Sequence, residues 1–73
     1  MNTYEQWQEL CKKFEEAREE HSKAFAIVNS AFAQVAKGGN KNPSSQELDD
    51  MDKSWNHLEA VKKEMDDFVK KNT

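Results

Sequence analysis

Gly38-Gly39-Asn40-Lys41-Asn42-Pro43, followed at once by Ser44-Ser45-Gln46-Glu47, is the one punctuation mark in this chain of 73 residues. Six consecutive turn formers stop any regular element, and both glycines and the only proline of the sequence lie among them. The long stretches on either side therefore contain no breaker. Ser44 with Glu47 three residues later is a capping box, in which the hydroxyl accepts from the N3 amide and the carboxylate reaches back. Pro43 against Leu48 is placed to complete a staple. Asp49, Asp50 and Asp52 crowd the first turns, and Lys70 and Lys71 sit in the last, the order a helix macrodipole favours. The first segment can open at Thr3, with Gln6 at N3, and stop where Gly38 takes the left-handed C′ position.

The expectation is all-α: one domain, residues 1–73, folded as a long antiparallel helical hairpin, with a helix over about 3–37, a turn over 38–43 and a helix over 44–71. A three-helix bundle is the alternative and needs a break near 20–22. Neither Gly nor Pro occurs between residues 8 and 37 to make one.

Periodicity within each segment says which side faces a partner. Tyr4, Trp7, Cys11, Phe14, Arg18, His21, Phe25, Val28, Phe32 and Val35 follow alternating steps of three and four, as do Leu48, Met51, Trp55, Leu58, Lys62, Met65 and Val69. Pairing these seams outward from the turn keeps the sum of residue numbers at 83, from Val35 with Leu48 to Phe14 with Val69. Beside the seam runs a second row, Leu10, Ala17, Ala24 and Ala31 in the first helix and Val61 and Phe68 in the second.

That register implies surface left over. The second helix runs out opposite Cys11, so Tyr4, Trp7 and Leu10 project beyond it. Ala24, Ile27 and Ala31 make a line of mostly small residues that lets another helix approach closely. These six residues are the candidate interface, and a homodimer forming a four-helix bundle is the expected way to cover them.

Arg18, His21 and Lys62 interrupt the seam where leucine is expected. They read as a polar layer that fixes register or holds an anion, or as long side chains laid over the core toward Glu15, Glu59 or Asp66. No metal site is expected, because the residues three before His21 and His57 are Arg18 and Ser54 rather than glutamates. Cys11, at a seam position, reads as a small apolar residue.

No catalytic residue and no cofactor is assigned. The acids form ordinary ionic faces, and the chain has no phosphate-cradling glycine loop, CxxC pair or triad grouping. A formal charge of −3 is opposite in sign to a nucleic-acid binder's footprint. A nucleic-acid regulator on the same bundle would rely on Lys12, Lys13, Lys62, Lys63, Lys70 and Lys71. No apolar run is long enough to span a bilayer, no leader opens the chain, and a lone cysteine suits a reducing cytoplasm. The functional expectation is a small non-enzymatic protein–protein interaction module: a homodimeric adaptor, inhibitor or regulator. A nucleic-acid-binding regulator and a structural subunit of a larger assembly are the alternatives.

Overall fold

A computed structural model of the chain describes residues 2–39 and 42–73. Asn40 and Lys41, in the middle of the expected turn, lie outside the described residues, as does Met1. Two helices make up the fold, α1 over Thr3–Ala36 and α2 over Ser45–Lys71, with no strand among the described residues. They pack against each other as a hairpin in a rod of 54 × 17 × 14 Å. α1 runs through residues 20–22 without interruption, so the three-helix alternative does not hold.

Local chemistry accounts for the ends. Ser44 and Glu47 form the capping box in both directions: the Glu47 amide donates to Ser44 Oγ at 3.0 Å and the Ser44 amide to Glu47 Oε1 at 2.9 Å. α1 begins one residue earlier than its Thr3 cap predicted, because the Asn2 side chain accepts from the Glu5 amide at 2.8 Å. Asparagine's carbonyl reaches the N3 amide as well as a hydroxyl does.

Gly38 ends α1 at φ +97°, and its amide donates to the Val35 carbonyl while that of Gly39 donates to Gln34. This is a Schellman closure, and only a residue without Cβ takes that φ without strain. A Cβ at Gly39 would also stand 2.8 Å from the Gln34 carbonyl oxygen. Gly38→Ala is therefore expected to cost about 1 kcal/mol, read as a lower urea midpoint at unchanged slope. An unchanged midpoint would show that this turn does not constrain the fold.

The helices meet along a different stripe from the one expected. On α1 the residues turned inward are Trp7, Leu10, Cys11, Phe14, Ala17, His21, Ala24, Val28, Ala31 and Val35. On α2 they are Met51, Ser54, Leu58, Val61, Met65 and Phe68. Half of the predicted seam is present, and Cys11 stays half-buried, but Tyr4, Arg18, Phe25 and Phe32 of its row have given way to the row of Leu10 and three alanines. α2 has turned likewise, exchanging Trp55, Lys62 and Val69 for Ser54, Val61 and Phe68. Small residues let the axes come close, so Leu58 and Val61 reach a fully enclosed Ala17, with Phe14 and Met65 packed around them. Ser54 is buried at little cost, because its hydroxyl donates to the Met51 carbonyl at 2.8 Å.

Register also differs, by one heptad. Trp7 stacks on Phe68 with ring centroids 5.8 Å apart, His21 lies 5.2 Å from Trp55, and Glu20 pairs with His57 at 3.4 Å. Those pairs total 75, 76 and 77, in place of 83. Phe25 does not bury Leu58; it stands half-exposed, and Leu58 packs on Ala17. α2 consequently reaches down to Trp7, and the predicted overhang shrinks to Tyr4.

Candidate functional site

Each helix carries three adjacent apolar rows at heptad spacing, and one partner helix covers only two of them. On α1 the uncovered row is Tyr4, Arg18, Phe25 and Phe32, with Cys11 of the same row half-buried; on α2 it is Leu48, Trp55, Lys62 and Val69. Both flank the same side of the contact. His21 of α1 meets Trp55 on that side, whereas Glu20 and His57 bridge the helices on the other. The two rows thus lie side by side along the rod and merge with the half-buried Trp7, Phe14, Met51 and Met65 between them.

Exposure makes this face unusual for so small a chain. Phe25 and Phe32 are 52% and 54% exposed, Trp55 46%, Val69 45% and Tyr4 66%. Among the described residues the buried apolar set is only Ala17, Val28, Leu58 and Val61, and no large side chain is fully enclosed. Among the described residues, six large apolar side chains stand exposed on this face, against three larger than alanine that are buried between the helices.

Much of the remaining surface is ionic. Lys23 pairs with Glu19, Lys53 with Asp49 and Lys70 with Asp66, all one turn apart. The Asp49 carboxylate, accepting from Lys53 Nζ at 2.9 Å, holds that ammonium above its ordinary pKa, and Asp66 does the same for Lys70. These groups are fully solvated, so they contribute solubility rather than fold.

The residues singled out in the sequence are dispersed by this arrangement. Trp7, Leu10, Ala24 and Ala31 belong to the hairpin contact itself, with Trp7 held by Phe68 instead of projecting past the chain. Ile27, 52% exposed, stands on the opposite side above a groove lined by Ala26, Ser30, Ala31 and Gln34. Tyr4 alone of the six lies on the open face. Arg18, His21 and Lys62 do not form a layer inside the seam. His21 is half-buried between Trp55 and Phe25, while Arg18 and Lys62 are exposed on the open face, Lys62 with Glu59 at 3.6 Å. Rotation of the seam takes the two longer cations out of the contact, which spares their desolvation.

Phe25, Phe32, Leu48, Trp55 and Val69, read from the heptad as buried, are the residues now available to a partner. The signal that could have exposed them is the width of the stripe, three rows against one partner helix. Among the described residues no cluster of His, Cys, Asp or Glu could hold a metal ion, and no helix is long and apolar enough to cross a membrane. No protein-family model, curated protein or solved structure matches the chain.

Proposed function

We propose that this chain is a small cytoplasmic, non-enzymatic interaction module, an adaptor, inhibitor or regulator, that works by docking a helical surface onto the Tyr4–Phe32 and Leu48–Val69 face. The observation that carries this reading is the run of half-exposed Phe25, Phe32, Leu48 and Trp55 on one side of a hairpin whose other side, among the described residues, exposes Ile27 as its one large apolar side chain. Contiguous apolar area of that kind on a small protein marks an interaction surface. Its large aromatics are the side-chain types that dominate binding energy at interfaces.

A photocrosslinking residue placed at Phe25, and separately at Glu64 on the opposite side, tests the reading in the source cell. Adducts are expected from position 25 and few or none from 64. Equal yields from both, or none from 25, would overturn it.

A further inference from the structure

Resting on that reading, we infer that the occupant of the open face is a second copy of this chain, packed about a two-fold axis parallel to the rod with both turns at the same end. α1 of one copy then lies antiparallel to α2 of the other, in the register the hairpin itself uses, because an axis along the rods preserves axial position.

Area argues for a large occupant. Six side chains, Tyr4, Phe25, Phe32, Leu48, Trp55 and Val69, are each about half-exposed. At roughly 100 Å² apiece for the aromatics they supply on the order of 500 Å². Adding the partly open Trp7, Phe14, Met51 and Met65 brings the face toward the roughly 800 Å² per partner of a stable interface. A second identical face also matches it in length and heptad spacing, and it supplies the apolar burial that a 73-residue hairpin lacks.

Charge selects the axis. Two cations, Arg18 and Lys62, interrupt the face, and the next row outward on each helix carries acids: Glu15 on α1, and Asp52, Glu59 and Asp66 on α2. The facing pairs observed within the chain put residue 59 level with about 17 and residue 62 level with about 14. With the axis along the rods, Arg18 therefore comes beside Glu59 of the other copy, and Lys62 beside its Glu15, each twice by symmetry. An axis across the rods instead sets α1 on α1 and brings the two Arg18 side chains together near the middle. Opposed partners in one geometry and like charges in the other decide between them.

Sedimentation equilibrium of the intact chain is expected to give twice the 8.5 kDa chain mass. Arg18→Glu should raise the dissociation constant by about tenfold or more, and adding Glu59→Arg to the same chain should recover most of that loss. Orientation is read with Ser22→Cys plus Asp52→Cys in a Cys11→Ser background. These positions lie on opposite outer edges of one hairpin but face each other between copies. Mild oxidation should yield a covalent dimer from the double variant and none from Ser22→Cys alone. A mass of one chain, ready crosslinking of Ser22→Cys to itself, or a Trp55→Glu variant that dimerises as well as the parent would overturn the proposal. A monomer that still forms adducts to a different protein at position 25 would remove the second copy and keep the docking face. Loss of both would remove the docking face too.

Discussion

Leu58→Ala should leave much of the chain unfolded at room temperature. Leu58 is 7% exposed and packs in the cluster of Ala17 and Val61, with Phe14 and Met65 against it. Truncating a buried leucine costs about 2–5 kcal/mol, through lost transfer energy and the cavity left behind. An ordinary domain has 5–15 kcal/mol in hand. A hairpin with four buried apolar residues among those described stands at or below the lower end. Far-ultraviolet circular dichroism through a urea titration reads the result directly. A midpoint within error of the parent would mean that this cluster does not hold α1 to α2.

Ala17→Leu should destabilise the hairpin by about 1–3 kcal/mol, although leucine is the better residue for any exposed or flanking helix position that needs apolar cover. Ala17 has no exposed surface, and the approach of Leu58 and Val61 leaves no space for three further carbons. The helices must separate, or the leucine must leave its rotamer wells. The sign is diagnostic, because the seam expected from the heptad runs through Arg18 and puts residue 17 on the flank, where added apolar bulk should help. A higher melting temperature for Ala17→Leu would show that the helices meet along the Phe25 row after all.

Both substitutions turn on the part of the fold that periodicity left open. Residues such as Phe14, Val28, Met51 and Leu58 belong to the inward stripe under either choice of neighbouring row, and they were legible for that reason. Phe25 and Trp55 were not, because a three-row stripe is compatible with two seams that share its middle row. Register was ambiguous in the same way. Sliding α2 by seven residues carries Trp55 to where the expected register puts Lys62, opposite His21, without changing which row it occupies, so a constant sum of 83 and one near 76 fit the pattern equally well. The eight residues between Ala36 and Ser45 are long enough to permit the slide. The candidate interface follows from the same two choices: the register summing to 83 leaves Trp7 and Leu10 without cover, whereas Phe68 stacks on Trp7, and the seam through Arg18 buries aromatics near the turn that stand half-exposed in the hairpin.

What reading the residues established is what short-range chemistry controls. Capping by Ser44 and Glu47, closure at Gly38 and the absence of breakers elsewhere make two long helices and one antiparallel return, whatever those helices touch. Which stripe they share depends on how closely two backbones can approach, a property of Ala17, Ala24, Ala31 and Ser54 acting together across the chain. Close packing favours the small row, and a single partner helix has no further width to offer. The aromatic rows of both helices are therefore left open on one face, and no stretch of sequence taken alone records that outcome.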